Sequence, residues 1–573
     1  MADTWQIPPI SPKAFTLAKA LGVPQVLGVL LVRRGIIDLQ SAKEFIQPKL
    51  SSLVDPSIFP DMDLGTRLIG DALIKQSNIL IYGDYDADGI TGTVCLYHFL
   101  KSLGAKVHYV IPNRFIHGYG VHPSLVEPFL KKGPLVLLTV DCGTSDIEQL
   151  AFLKDKGVHI VVTDHHRIMS DSFQYNWPVI NPKRIKESFS LGDISGVGVA
   201  FYLLISLRRY LRKKGFFRSK KEPNLREYLD LVAIGTIADR INIRNQARVL
   251  ISHGLNQLNH TKWHAIELIK EFSGITGKHL TTEDVGFRIA PRINAPGRLD
   301  NPLLVMDSLL SQDKEKVRQL VEVMESLNNK RRNLEEQLLR EVESLLQEKT
   351  SNGLPCILYH GKDWHEGILG LVASKLVSKY YRPTLLLREH GPILKGSGRS
   401  IPGIDLYELV KEQAYLLNRF GGHSCAVGLS LNKDFIENFK EGLVESIVKR
   451  ADEDTFQPKP SIDMELKLSD LKFQDIQCLN LLEPFGDGNP EPVFMARNVE
   501  VVAKKEFGSD HLRLILRDKD KIYGAVGYGM LSQSSSAQGK VDILYTPKAD
   551  FFKGHEIIEL KLVAIRPCLN PNP

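Results

Sequence analysis

The stretch Tyr82–Thr93, YGDYDADGITGT, sets three carboxylates, Asp84, Asp86 and Asp88, on alternate residues where an apolar run ends. Like charges this close raise one another's energy, so they persist where cations neutralise them. Two further acidic groups stand at matching points: Asp141 closes PLVLLTVD, and Asp164, His165 and His166 close VHIVVTDHH. Any one of these alone is more usually a turn, a helix cap or a satisfied histidine. Their coincidence at three strand ends points to a site. Carboxylates with one or two imidazoles and no thiolate form a hard donor set, suited to Mn²⁺ or Mg²⁺ rather than structural zinc. With this many ligands two ions about 3.5–4 Å apart are expected, the arrangement used for in-line phosphoryl displacement. DYDADG also matches half of an EF-hand loop. The twelfth position of that loop is Cys95 instead of a bidentate Glu, and a strand rather than a helix precedes it, so the EF-hand reading fails.

The elements that must position these groups alternate from about Asn78 to Asn181. NILIYGD, KVHYVIP, PLVLLTVD, VHIVVTD and WPVINP read as buried strands, with helical stretches such as TGTVCLYHFLKSLG and DIEQLAFLKDKG between them. That pattern predicts an α/β domain on a parallel sheet, whose ligands bind beyond the carboxyl ends of the strands. Residues 195–255 read as mainly helical. Residues 312–349 are rich in charge, lack Gly and Pro, and place Leu320, Met324, Leu327, Leu334, Leu338, Val342 and Leu345 at helical spacing. They predict one helix of about 57 Å, a packed partner and a rigid connector at once. A second α/β region follows, and then five strand-like runs that suit a small OB-fold-like barrel.

At 573 residues, with 43% hydrophobic and 24% charged content, the chain is expected to fold as several domains. The net charge of +6, from 73 basic and 67 acidic residues, is compatible with a polyanionic partner without requiring one. The six cysteines are scattered, with no C-x-x-C pair, which fits a reducing compartment. No basic-then-apolar leader opens the chain, and no apolar run is long enough to span a bilayer. The expectation is a soluble, cytoplasmic protein without a membrane partner.

DYDADG, VDCG, TDHH and AIGTIAD stand in the order of the four motifs of the DHH phosphoesterase superfamily, which this sequence resembles. PNRFIHGYG, RINAPGRLD, WHEGILGLVASKL, GSGRS, RFGGHSCAVG and EPFGDGNPEPVF extend the resemblance over nearly the whole chain, to its bacterial single-strand-specific 5′→3′ exonucleases. The resemblance implies an N-terminal segment 1–60, a parallel-sheet DHH catalytic domain 61–310, a connector helix 311–350, a DHHA1 substrate domain 351–452 and an OB-fold-like nucleic-acid-binding domain 453–573.

It also implies roles. Asp84, Asp86, Asp88, Asp141, His165 and Asp239 would hold two Mn²⁺ or Mg²⁺ ions, with Asp141 bridging. Asp164 would orient a histidine, and His166 would face the scissile phosphate as electrophile or general acid while water acidified by the ions attacks phosphorus. Arg114, Arg292, Asn294, Ser397, Arg399, Gly421, Gly422 and His423 would contact the substrate, with a 5′-terminal phosphate setting the polarity. The implied activity degrades single-stranded DNA to nucleoside 5′-monophosphates in repair and recombination. A helicase and a single-strand-binding protein are the partners this analogy suggests.

Two positions depart from the family pattern: Arg240–Asn242 replace an apolar–Pro continuation, and His117 stands where an acid is expected. The basic and aromatic residues Lys504, Lys505, Phe507, His511, Arg513, Arg517, Lys519, Lys521 and Tyr523 suggest a strand-tracking face on the barrel. RRYLRKKGFFRSKK, at 208–221, with eight basic residues and no acid, suggests a second DNA-docking surface. The rival readings are a small-molecule phosphatase or short-oligonucleotide hydrolase, which would not need the barrel, and a non-catalytic DNA-binding scaffold, which would not keep the ligands. Neither a G-x-S-x-G elbow nor a Walker A sequence is present.

Overall fold

The computed structural model describes residues 5–168, 175–185, 191–348, 354–508, 510–552 and 555–568; positions 349 and 350, the end of the expected connector, lie outside them. Strands β1 (Asn78–Gly83), β2 (Lys106–Val110), β3 (Leu135–Val140), β4 (His159–Thr163) and β5 (Val179–Ile180) form one sheet in the order β2-β1-β3-β4-β5. All its pairings are parallel, with Ile79 opposite Val136 and Leu137 opposite Ile160. Side chains alternate between two cores. Ile79 and Ile81 pack with the helices Ala87–Ser102 and Gly196–Lys213, while Leu80 and Tyr82 pack with Pro123–Leu130 and Ile147–Asp155. Burial on both faces is why these strands read as unbroken apolar runs. Strand order reverses between β1 and β3, so the crevice of this doubly wound sheet opens where Asp84 and Asp141 emerge. The helix Leu229–Ala238 is apolar apart from buried Asp230 and Thr236, and its packing between Ala87–Ser102 and Asn245–Leu258 carries Asp239 to the same crevice.

The helix Lys314–Glu348 has 35 residues, about 52 Å at 1.5 Å per residue. Val317, Val321 and Met324 join the core of the first domain, and Leu338, Val342 and Leu346 pack with Trp364, Ile368 and Val372 of the next. One helix is therefore both packed partner and strut. The second α/β domain sets β6 (Ile357–Gly361), β7 (Thr384–His390), β8 (Ile393–Arg399), β9 (Leu417–His423) and β10 (Ala426–Asn432) in the order β6-β7-β8-β10-β9. In the C-terminal domain a short β11 (Met464–Glu465) adds to β12 (Phe494–Phe507), which pairs with β13 (His511–Asp518). β14 (Lys521–Tyr528), β15 (Lys540–Phe552) and β16 (His555–Pro567) complete the strands, and pairing of β12 with β15 closes a five-stranded barrel.

The N-terminal helices Pro12–Leu21, Gln25–Arg33 and Leu39–Ile46 do not stand apart: Leu17, Leu27, Leu30, Leu31 and Ala42 enter the barrel's own hydrophobic core. Of two buried arginines, Arg34 ties these helices to the barrel's own loop at 489–490, and Arg248 fastens the whole unit to the first domain. Arg34 donates from Nε to Asn489 Oδ1 at 2.7 Å and from Nη2 to Pro490 O at 2.7 Å. Arg248, on the Asn245–Leu258 helix, donates to Phe45 O at 2.8 Å and Glu483 O at 2.6 Å. Both guanidiniums meet backbone carbonyls, so their burial leaves no polar group stranded at the joint. Among the described residues no helix is long and apolar enough to cross a membrane.

Candidate metal centre

Each acidic group lies one residue past a strand or at a helix end. The Asp84 amide donates to Val140 O at 3.1 Å and the Asp141 amide to Thr163 O at 2.9 Å, so both carboxylates leave the sheet at a fixed point. Asp141 takes a left-handed φ of 62°, a conformation that Asp accepts more readily than a branched side chain. Asp86 caps the helix Ala87–Ser102, accepting from the amides of Asp88 at 3.0 Å and Gly89 at 3.1 Å. A Cβ on Gly89 would come within 2.6 Å of the Asp84 backbone, which is why a glycine follows the third aspartate. Buried Asp88 accepts from Gly196 N at 2.6 Å and Val197 N at 2.9 Å, at the start of the Ser195-capped helix Gly196–Lys213. A Cβ at Gly196 would meet the Asp141 side chain at 2.6 Å.

His165 projects Nε2 to 3.1 Å from Asp141 Oδ1, 3.5 Å from Asp239 Oδ2 and 3.8 Å from Asp88 Oδ2. One ligand atom from each of Asp84, Asp86 and Asp141 lies within 4.8 Å of the others, and the same holds for Asp88, His165 and Asp239 and for Asp141, His165 and His166. Asp141 belongs to two of these groups and sits between them. Asp164 accepts from Thr144 N at 3.0 Å, from the amides of His165 at 2.7 Å and His166 at 3.1 Å, and meets His166 Nδ1 at 2.7 Å. Buried Asn181 donates to His166 O and Thr144 Oγ1, both at 3.0 Å, and Tyr119 Oη lies 3.2 Å from His166 Nδ1.

The electrostatics divide the acids into two kinds. Burial raises Asp84, Asp88, Asp141 and Asp239, and their mutual repulsion raises them further, Asp88 to about 7 and Asp239 to about 8. Asp164 is the opposite case: burial opposes its charge, but the hydrogen bond and charge of His166 hold it below the usual carboxylate range. His166 is correspondingly raised to about 9, its hydrogen bond to Asp164 outweighing burial, while burial and the charge of His166 push His165 down to about 3. Asp84 Oδ1, Asp141 Oδ1 and His165 Nε2 are buried without a hydrogen-bond partner. Three orphaned lone-pair donors facing one space, among carboxylates that repel one another, fit hard divalent cations.

The residues expected to meet substrate divide as well. Arg114 stacks over the Tyr85 ring at 5.5 Å, beside the first acidic group. Arg399, at the end of β8, donates to Ser397 Oγ and Gly398 O, both at 2.8 Å. The field of Arg114 reaches Arg399, and those of Arg399 and His166 reach His423, so these groups share one cleft between the two α/β domains. Phe115 meets His365 edge-on across that cleft at 5.4 Å. Gly421 and Gly422 lie in the hairpin strand β9, and Gly422, at φ 139°, leaves no room for a Cβ against Ala426 O.

Arg292 and Asn294 have structural partners of their own. Arg292 pairs through Nε and Nη2 with Glu325 of the long helix, and Asn294 Oδ1 accepts from Ala87 N at 2.8 Å, bracing the turn after Asp86. Buried Arg298 of the same helix lies close enough for its charge to interact with Arg114 and Asp86. The sequence reading also missed Tyr119, Thr144, Asn181 and the Gly196 and Val197 amides. Only the last had a signal, Ser195 as an N-cap ahead of an apolar run.

The structure also places the two basic surfaces. The run 208–221 begins on the last turns of Gly196–Lys213, about 18 Å along the axis from the Gly196 end that touches Asp88, so it lies away from the acidic groups. Several of its cations are engaged, Arg208 and Arg212 with Glu222 and Arg209 with Asp55. On the barrel, Tyr523 is buried and bonds Leu468 O, whereas exposed Tyr528 packs on His511, His511 on Phe507, and Arg513 lies over Phe507.

Comparison with known proteins gives three family matches: DHH family, N-terminal domain, over residues 78–236; DHHA1 domain over 353–452; and RecJ OB domain over 462–564. The chain is 32% identical over 562 residues to the single-stranded-DNA-specific exonuclease RecJ of Dickeya dadantii, covering 95% of this chain and 96% of that protein. Identity to the RecJ of Haemophilus influenzae is 31% over 548 residues, with 92% and 94% covered. The crystal structure of Thermus thermophilus RecJ in complex with Mn²⁺ matches with a TM-score of 0.81 at 29% identity, covering 99% of this chain and 80% of that one. The Mg²⁺ complex from the same organism gives 0.74 at 28%, covering 98% and 77%.

The raised carboxylates make a prediction about pH. Their stabilising contribution is complete below the unfolded-state value near 4 and is lost as pH rises through about 7 for Asp88 and 8 for Asp239. Mg²⁺ binds the ionised form, so the rise in thermal midpoint on adding Mg²⁺ should grow between about pH 6 and 8.5. A Mg²⁺-induced rise that is the same across this range would contradict the assignment.

Proposed function

Because the chain belongs to the RecJ family of single-stranded-DNA-specific exonucleases, we infer that the acidic cleft hydrolyses phosphodiester bonds of single-stranded DNA from its 5′ end. The observation that carries this reading is the juxtaposition of the orphaned donors Asp84 Oδ1, Asp141 Oδ1 and His165 Nε2 with a cleft lined by Arg114 and Arg399. Asp84, Asp86, Asp88, Asp141, His165 and Asp239 would hold two Mn²⁺ or Mg²⁺ ions, with Asp141 shared. When bound, such ions supply positive charge for the phosphoryl oxygens and acidify water for attack on phosphorus.

The chain's own residues do the rest. Asp164 occupies His166 Nδ1, which leaves Nε2 as the nitrogen free to meet a phosphate oxygen. The hydrogen bond to Asp164 favours the protonated form of His166, which can donate to the phosphate or to the leaving oxygen. Arg114, Ser397, Arg399 and His423 would grip the 5′-terminal phosphate, with the Arg399 fork already ordered by Ser397 and Gly398. A grip on that end gives 5′→3′ polarity and nucleoside 5′-monophosphate products. The Phe115–His365 contact bridges the cleft, which favours one strand over a duplex. An enzyme confined to free single strand depends on activities that open duplex and manage the strand, hence a helicase and a single-strand-binding protein as partners, in the cytoplasm where the DNA lies.

Incubating the full chain with Mn²⁺ or Mg²⁺ and DNA labelled at either end, single- or double-stranded, tests the reading. Labelled mononucleotide should leave the 5′ end of the single strand alone and disappear with EDTA. Asp141→Ala should abolish turnover and keep DNA binding; activity above about a tenth of wild type, less than about 1.4 kcal/mol of barrier, removes Asp141 from the shared position.

The barrel's exposed ring cluster makes a separate prediction. Because the N-terminal helices share the barrel's core, point variants probe it more cleanly than deletion. Phe507→Ala with Tyr528→Ala should weaken binding to long strands, about 1–3 kcal/mol for each lost stacking ring, while cleavage of short oligonucleotides is nearly unchanged. Equal loss on both lengths would make the rings structural.

A further inference from the structure

Arg240 is the residue after Asp239, in the run that departs from the family pattern. It closes its helix in a left-handed conformation, φ 56°, donating its amide to Ile237 O, and its side chain is 79% exposed. The guanidinium forks onto the half-exposed Asp487 carboxylate, Nε to Oδ2 at 3.0 Å and Nη2 to Oδ1 at 3.3 Å. Asp487 belongs to the loop 483–490, which joins the barrel unit to the catalytic domain. That loop does not depend on the fork. Ile243 N donates to Asp487 O at 2.7 Å, Arg244 Nε to Gly488 O at 2.8 Å, and buried Asn489 bonds Arg34, Leu482 O and Pro484 O. Exposed ion pairs of this kind add little stability, and a second anion can replace the first. The charge of Arg240 also reaches Arg399, where with burial and Arg114 it disfavours another cation. Arg240 therefore stands on the wall between a predicted metal ligand and the predicted phosphate grip.

We propose that Arg240 is a phosphate-binding residue of the strand path, and that Asp487 is a latch whose carboxylate an incoming DNA phosphate displaces. The planar fork that accepts a carboxylate at two points accepts two phosphate oxygens in the same way. Asp487 then has two effects. It keeps the guanidinium ordered next to Asp239 while the cleft is free of DNA, and it competes with the strand for Arg240. A brace that only fastens the loop would need both partners equally, whereas a latch sets them in opposition.

This proposal rests on the reading of the cleft as a single-stranded-DNA exonuclease site. The test measures kcat and KM of Arg240→Val and Asp487→Asn on a 5′-phosphorylated single-stranded oligonucleotide over a range of NaCl, with the thermal midpoint of each variant. Arg240→Val should raise KM about three- to ten-fold, more than it lowers kcat. It should also flatten the salt dependence of kcat/KM by about 0.7 in log–log slope, the loss of one phosphate contact. Asp487→Asn should lower KM. Both variants raising KM together with a lower midpoint, or neither changing it, overturns the proposal. If Arg240→Val does not fold, the direction of the Asp487→Asn effect decides alone: a fall supports the latch, and a rise or no change overturns it. A wild type that leaves the oligonucleotide intact is a different result, the failure of the exonuclease reading itself.

Discussion

Mutual repulsion among Asp84, Asp86, Asp88, Asp141 and Asp239 is the constraint around which the catalytic domain is built. Ionisation of Asp84, Asp88, Asp141 and Asp239 is suppressed by burial and by their acidic neighbours, yet the backbone is arranged to hold the group together. Strand ends fix Asp84 and Asp141, amides at two helix N-termini hold Asp86 and Asp88, and an apolar helix delivers Asp239. Glycines at 89 and 196 let neighbouring segments approach to distances that no other residue allows. Negative charge concentrated in this way is stabilised by bound cations.

The same logic explains the division of labour between neighbouring residues of the TDHH motif. Asp164 is satisfied by three amides and His166, so it stays charged and keeps His166 protonated, whereas His165 is held neutral as a ligand must be. The cleft that receives substrate exists because separate domains are locked in register. The long helix enters both α/β cores, Glu325 on it pairs with Arg292, and Glu335 pairs with Lys375 of the second domain. Buried Arg248 does the equivalent work for the barrel.

Much of the centre was legible because its chemistry is local: acids at the ends of unbroken apolar runs, in an order that only a parallel sheet brings together. The connector was legible from its period and the barrel from its alternation. What was not legible depends on distant partners. Nothing near Leu27 or Leu31 announces a partner some 450 residues away in the barrel. Arg292 and Asn294 sit in a motif suggestive of substrate contact, and their bonds to Glu325 and Ala87 come from segments the motif does not contain. Tyr523 and Tyr528 lie on the same strand, but which one faces the core is set by register with β13.

The central claim is that the clustered carboxylates are a two-cation centre shared through Asp141. Anomalous diffraction from crystals of the full chain grown with Mn²⁺ tests it most directly. Two peaks are expected with Asp141 between them, one against Asp84 and Asp86 and the other against Asp88, His165 and Asp239. A single peak, or peaks that leave Asp141 untouched, would contradict it.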